Sequence, residues 1–365
     1  MRKTLLQLHL WPGLVLGLLL AGSGVTGAVL AWRTELDRNL HRALYVVTPQ
    51  ERRMNLDKLV TRAQAARPGA QIEDVRLLEA ADAPVIVGFA DDVYAHLDPY
   101  DGRVLGLRAR YGDALGWVDG FHKYLRLRPA IGETITGTSA VGFVVVILTG
   151  VALWWPKTRR ALKVGATFNW RLRGRPWHLG LHRTLGFYVA VVVLVSAVTG
   201  TPIAFKRLRQ WIVGRAPEPV ARTEAGEGFV GFDTLAKRVR ELMPAARECF
   251  LTVPRRGVVK AYAIAADAPH ANARSYVWMN QSDGAVLRYA PYVKATLGFR
   301  LYYWLLSLHT GEIGGWPVRL LLTLGALAVP VLVFAGAASF ALRKFRRTPA
   351  ASLGASGSAG EVRAV

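Results

Sequence analysis

Eight histidines and a single cysteine, Cys249, hold most of the metal-binding chemistry open to this chain of 365 residues. One cysteine excludes an intrachain disulfide framework, a CxxCH attachment, a thiolate zinc site and an iron-sulfur cluster. Four of the histidines recur in a pattern. His9 follows Leu8, with Gly13 four residues later and Thr26-Gly27 seventeen later, and His182 follows Leu181 with Gly186 and Thr199-Gly200 at the same offsets. His122 precedes a run carrying Thr149-Gly150, and His309 precedes one carrying Ala335-Gly336. Matches in one order along the chain are the mark of an internal repeat.

The elements that must position these residues are four apolar runs, Leu10 to Ala31, Ile135 to Trp155, Thr184 to Ala204 and Trp316 to Leu342. Each is apolar nearly all round and reaches the roughly 20 residues needed to cross the hydrocarbon core. The first is longer than the roughly 7 to 15 apolar residues of a signal-peptide core, so it reads as a retained helix. The net charge of +22 is distributed as topology rather than as a nucleic-acid footprint. Lys157, Arg159, Arg160, Lys163, Arg171, Arg173 and Arg175 crowd one short loop with no Asp or Glu, and Arg2, Lys3, Arg343, Lys344, Arg346 and Arg347 flank the outer ends. Basic short loops stay in the cytoplasm. Both termini and the loop at 156–178 are therefore expected inside, and 33–134 and 205–315 outside.

The two outer segments repeat as well. Asp57 precedes Pro68 as Asp233 precedes Pro244, and Tyr94, Asp101-Gly102 and Val104-Leu105 match Tyr276, Asp283-Gly284 and Val286-Leu287. The expected fold is an α-helical integral membrane protein: a four-helix transmembrane bundle from a tandem duplication, with two small α+β outer modules. The expected boundaries are 1–32, 135–155, 179–204 and 316–342 for the membrane helices, with a tail at 343–365 whose Thr348 to Val365 part reads as disordered. In the modules, helices at 55–66 and 232–243 precede strands at 85–89, 94–97, 103–107, 249–253, 259–263 and 276–280, with Asp-Gly as a hairpin signal. Modules of roughly 60 residues are marginal alone and gain from resting on each other or on the membrane helices.

A pseudo-two-fold axis along the membrane normal brings His9 opposite His182 at one face and His122 opposite His309 at the other. Two imidazoles facing each other across a flat macrocycle hold bis-histidine haem, and six-coordinate iron suits electron transfer. Two noncovalent haems b per chain are expected, with these four histidines on the iron. A histidine at a helix end also suits the interface as an amphipathic side chain; the symmetric placement of four favours ligation. His178, four residues before His182 on the same helical face, could replace it or assist at a propionate. Arg319, inside the start of the fourth helix, either meets a haem propionate or snorkels to the interface. His41, His96 and His270 have no repeat counterpart and read as surface residues. Gly22-Ser23-Gly24-Val25-Thr26-Gly27 formally matches GxGxxG but sits inside a membrane helix, where small residues serve close helix packing or leave room for a ring. Pro330 is expected to kink its helix.

With Leu8-His9, Phe121-His122, Leu181-His182-Arg183 and Leu308-His309-Thr310-Gly311 in this order, the chain resembles the PepSY-associated transmembrane proteins, often described as iron-regulated membrane proteins. The resemblance covers residues 1 to 345. It implies PepSY-like periplasmic modules, a multi-pass place in a bacterial inner membrane, and an oxidoreductase that reduces a ferric siderophore in the periplasm to release iron. No flavin or nicotinamide motif is present, so electrons are expected from quinol or a separate reductase. The rival readings are a non-redox scaffold and a transporter subunit; the expected partners are the lipid bilayer and the siderophore, not nucleic acid.

Overall fold

The structure, a computed structural model, describes residues 1–214, 228–254 and 257–345. The tail read from the sequence as disordered, 348–365, lies outside the described residues. In chain order the first half contains α1 (Arg2–Leu30), α2 (Arg33–Leu40), α3 (Arg42–Tyr45), α4 (Leu56–Ala66), β1 (Ile72–Leu78), β2 (Val85–Phe89), β3 (Val93–Leu97), β4 (Val104–Ala109), α5 (Ala114–Tyr124) and α6 (Pro129–Trp154). Then follow α7 (Arg159–Ala166), α8 (Arg175–Ala204), α9 (Lys206–Val213), α10 (Phe232–Leu242), β5 (Glu248–Thr252), β6 (Val258–Ile264), β7 (Arg274–Asn280), β8 (Val286–Ala290), a 3-10 turn at Tyr292–Lys294, α11 (Leu297–His309) and α12 (Gly315–Phe345).

Helices α1, α6, α8 and α12 have the length and mean hydropathy, 2.0 to 2.3 over their best windows, to cross a membrane. Their outward residues are apolar too: Val15, Leu18, Val191 and Phe334 are 62–84% exposed. A water-facing helix would carry polar residues there, so the chain is a multi-pass membrane protein. The four pack as a ring in which α1 meets α6 and α12, and α8 meets the same two. That leaves α1 and α8 on one diagonal, with Leu20, Ile147, Val193 and Val329 filling the middle. Helix α12 runs unbroken through Pro330. The basic loop after α6 folds partly into α7, held to α8 through Thr184 and Tyr188, whose hydroxyls donate to backbone carbonyls of Gly165 and Ala166.

The eight strands form one antiparallel sheet in the order β4-β3-β2-β1-β5-β6-β7-β8. Two four-stranded meanders meet where β1 pairs with β5, from Asp74 opposite Thr252 to Leu78 opposite Glu248. The sheet is wider than the strand signals implied, because β1 and β8 were not foreseen. β1 reads Ile-Glu-Asp-Val-Arg-Leu-Leu, with acidic residues that disfavour strands, and pairing on both edges overrides that preference. On one face lie α4 and α10, and Leu59, Leu235, Val75, Leu251 and Val277 are 0–1% exposed in a single core. Burial of each such side chain is worth ~1.5–3 kcal/mol.

The two helices exchange N-terminal caps. Asp57 of α4 accepts from the N–H groups of Phe232 (2.6 Å) and Asp233 (3.3 Å) in α10, and Asp233 accepts from the N–H of Leu56 (3.0 Å) in α4. Gly231, at φ +96°, stands where a Cβ would meet an Asp57 carboxylate oxygen at 2.7 Å.

Candidate functional site: two histidine pairs

The geometry of the bundle brings the four repeat-related histidines together in twos. His9 on α1 and His182 on α8 lie across the diagonal at the end of the bundle that carries the basic loop, with ring centroids 5.8 Å apart and planes at 79°. His122 on α5 and His309 on α11 meet at the sheet end, with centroids 6.4 Å apart and planes at 41°. Two metal-nitrogen bonds of about 2 Å, each extended by about 1 Å from nitrogen to ring centre, would put axial imidazole centroids about 6 Å apart. Gly27, which touches His122, is eighteen residues beyond His9, so the two pairs are about 27 Å apart along the helix axis at 1.5 Å per residue.

One local device holds every ring. His9 donates from Nδ1 to the Val146 carbonyl at 2.8 Å, and His182 donates to the Leu332 carbonyl at 2.8 Å. His309 donates to the Ser196 carbonyl at 3.1 Å, with Thr199 Oγ1 at 3.3 Å. His122 reaches Thr26 Oγ1 at 3.0 Å; that hydroxyl donates its own proton to Gly22, so it accepts from the ring. Each backbone acceptor stands four residues before a glycine: Val146 before Gly150, Leu332 before Gly336 and Ser196 before Gly200. In a helix such a carbonyl takes the glycine's N–H on one lone pair, leaving the second for the imidazole. The glycine then clears the approach. A Cβ would lie 2.8 Å from His9 Cε1 at Gly150, 2.8 Å from His309 Cε1 at Gly200, 3.1 Å from His122 Cε1 at Gly27 and 3.2 Å from His182 Nδ1 at Gly336.

With Nδ1 carrying the proton, Nε2 is the bare lone pair, the tautomer in which an imidazole ligates a metal. None of the four Nε2 atoms has a hydrogen-bond partner among the described residues. Two donors fall short of a bare-ion site, and among the described residues no cluster of three or more His, Cys, Asp or Glu is placed to hold one. A pair of imidazoles each offering Nε2 instead fits a metal whose other positions a macrocycle supplies.

The other sequence-selected residues are placed as follows. His182, not His178, faces His9; the His178 ring lies edge-on to Trp177 (5.0 Å) and Phe334 (5.7 Å), and its Nδ1 is buried without a partner. Arg319 is matched by the chain's own carboxylates, Glu35 and, at 3.6 Å, Glu312, and stands 5.5 Å from the Trp32 ring. His96 and His270 are not surface residues: they are 2% and 4% exposed. His41 sits between Asp37 and Asp113, at 3.5 Å from each.

Histidines 122 and 309 sit not on the membrane helices but on short helices before them, and each helix is tied to its half of the sheet by a buried polar network. For α5, Asp119 is gripped by Arg33 (2.8 Å) and Lys123 (2.7 Å), while Arg108 of β4 bridges Asp37 (2.7 Å) and Asp113 (2.6 Å). Burial works against charge on Asp119, but Lys123 and Arg33 still hold its carboxyl below the usual range. For α11 the network is neutral. His270 Nε2 donates to Tyr292 Oη at 2.8 Å, and its Nδ1 accepts from the Asn272 N–H (3.2 Å) and from Ser307 Oγ (2.9 Å) on α11. The Thr-Gly steps are visible in the sequence as part of the repeat, and for Thr26-Gly27 as small residues that serve close packing or leave room for a ring; their spacing to the histidines is the available signal for the ring cradle.

No curated protein matches the chain. The match to the family described as PepSY-associated TM region runs from residue 6 to residue 343, across all four long helices and both halves of the sheet, and the chain belongs to that family.

Proposed function

We propose that this chain is a haem-containing transmembrane electron-transfer protein that reduces a ferric siderophore outside a bacterial inner membrane, releasing iron. The observation that carries the reading is the pairing of His9 with His182 and of His122 with His309, each ring fixed by Nδ1 and offering Nε2. The two pairs would hold haem b, which when bound would supply one-electron chemistry. The backbone and hydroxyl acceptors orient each imidazole with its proton on Nδ1, and raise the basicity of Nε2 as a ligand. The two ionic and neutral networks behind α5 and α11 hold His122 and His309 at the sheet end, where an acceptor would arrive. One electron converts the cargo's Fe(III) to Fe(II), which hard oxygen donors hold far less well, and a quinol or a separate reductase supplies that electron.

The basic loop at the His9 end supports a cytoplasmic position for that end, and with it a periplasmic sheet. The recurring element order supports origin by tandem duplication, which makes the two sheet halves PepSY-like modules of one kind.

Optical spectroscopy of the purified protein tests the reading. A sharp Soret band with reducible α bands is expected, and its absence after expression with ample haem would favour a scaffold or a transporter subunit. Replacing His122 or His309 by alanine should remove roughly half of the haem, one site of two; unchanged content would dissolve the sheet-end pair.

A further inference from the structure

The sheet face opposite α4 and α10 differs sharply between its two halves. On the first half the arginines of β4 and of the residue after it have carboxylates: Arg108 has Asp37 and Asp113, and Arg110 has Asp92 at 3.4 Å. On the second half, cross-strand register sets aromatic rings side by side. Phe250 of β5 stands opposite Tyr262 of β6, and Tyr262 opposite Tyr276 of β7. Phe250 and Tyr262 stack at 4.8 Å and 13°, and Tyr276 follows at 6.1 Å.

Two cations lie on this row, whose central ring, Tyr262, is 9% exposed while Phe250 and Tyr276 are half-buried. Arg274 stands 4.6 Å from the Tyr262 ring, and the Lys260 ammonium is 4.6 Å from Tyr276 and 5.9 Å from Trp278. Among the described residues neither has a carboxylate within ion-pair distance, and Arg274 Nε is buried with no hydrogen-bond partner. The one acidic side chain beside them, Glu248, is taken by Tyr262 Oη (3.1 Å) and Arg76 (3.5 Å). Burial, and then the Arg274 charge, hold the Lys260 ammonium below its usual range. A partly buried Arg274 beside an exposed Lys260, neither with a carboxylate partner, leaves positive charge for an anion to join, and a row of flat rings favours an anion that is itself flat and aromatic.

The row also leads to the redox end of the molecule. Tyr276 Oη is 3.1 Å from Tyr303 Oη on α11, and Tyr303 is six residues, about 9 Å along the helix, before His309.

We propose that the Phe250–Tyr262–Tyr276 row with Lys260 and Arg274 binds a soluble polyanion built on aromatic rings, the chemistry of a catecholate-type iron chelate. The identity of the metal rests on the reductase reading above; the preference for an aryl anion rests on the sheet face alone.

The test uses the full chain in phosphatidylcholine nanodiscs and redox-inert gallium probes. By titration calorimetry, a gallium(III) tris(catecholamide) chelate should bind at least about tenfold more tightly than an uncharged gallium(III) trihydroxamate. Lys260→Gln and Arg274→Gln should each weaken the catecholamide complex by about tenfold, as expected for one charge-assisted contact. Lys237→Gln, on the exposed side of α10, should leave it unchanged. Lys260 is itself exposed, so its variant carries the test even where Arg274→Gln fails to fold. Equal affinity for the two chelates, or unchanged affinity in Lys260→Gln, overturns the proposal; so does binding that vanishes in phosphatidylglycerol nanodiscs, which assigns the face to lipid headgroups. Gallium accepts no electron, so the two readings fail separately. Chelate discrimination without a Soret band sinks only the redox reading, and a haem-loaded protein that binds both chelates alike sinks only this one.

Discussion

The histidine cradles leave no room for a methyl group. A Cβ at Gly150 would meet His9 Cε1 at 2.8 Å, whereas one at Gly186 would find only Leu332 Cδ2 at an ordinary 3.6 Å. Gly150→Ala should therefore tilt the His9 ring and remove or shift the haem spectrum of the loop-end pair, roughly half of the signal. Gly186→Ala, on the same kind of helix, should change nothing; equal behaviour of the two variants in optical and EPR spectra would discard the cradle. The pairing itself was legible in the sequence because the repeat supplies a symmetry axis, and symmetry turns positions into partners. The Nδ1 acceptors were not legible, since a backbone carbonyl has no residue identity of its own. His96 and His270 were misread for a related reason. They lie in outer segments that are polar as a whole although their immediate neighbours, Ala95 and Leu97 or Pro269 and Ala271, are not, and burial comes from distant groups, the Tyr45 ring edge-on to His96 at 4.9 Å and Ser307 and Tyr292 around His270.

Among the elements, α4 and α10 depend on each other's first residues. Asp57 accepts from two N–H groups of α10 and Asp233 from one of α4, so each alanine variant should cost about 1 kcal/mol, in the range of a lost N-cap, with Asp57→Ala the larger. Asn55→Ala, which removes the cap α4 makes from its own chain through the Lys58 N–H, provides the comparison in denaturant unfolding of the detergent-solubilised protein. Unchanged midpoints for both aspartate variants would mean the exchanged caps carry no weight. The four long helices, α4, α10 and six of the strands were readable from apolar length, periodicity and Asp-Gly turns. The separation of α5 from α6 was not. It is made by Leu125 and Arg126, both left-handed at φ 52° and 60°, residues whose types give no stop signal. For α11 and α12 the same break falls on Gly311, Gly314 and Gly315, all at positive φ, and there a stop was available to be read.

At the scale of the whole molecule, the shared sheet carries two titrations that oppose each other, both in its first half. Burial pushes the Asp74 carboxyl, in β1 beside the joint, up to about 6. Its folded value lies above the unfolded one, so its stabilising contribution is full below about pH 4 and is lost as pH rises through about 6. Burial pulls the His96 imidazole down to about 4. For that base, stability is full above the unfolded value near 6.5 and declines as pH falls toward 4. Between pH 4 and 6 the slopes cancel, and wild-type thermal midpoints should be nearly flat. Asp74→Asn should expose a midpoint that falls with acid, and His96→Phe one that falls with rising pH; parallel profiles for all three proteins would reject the pair. That the halves rest on each other was expected from their small size. That they do so through one continuous sheet was not readable, because the joining strand β1 hides its pattern behind Glu73, Asp74 and Arg76.

The exchanged caps also have a consequence in time. Asp57 is synthesised 175 residues before Phe232, the partner whose N–H it accepts. At 5–20 residues per second that is roughly 10–35 s, during which β1 has an open edge and α4 lacks the cap that Asp233 will bring. The first half thus leaves the ribosome as an unfinished template, and whether a given chain matures or is captured by a chaperone or protease depends on how fast the second half arrives.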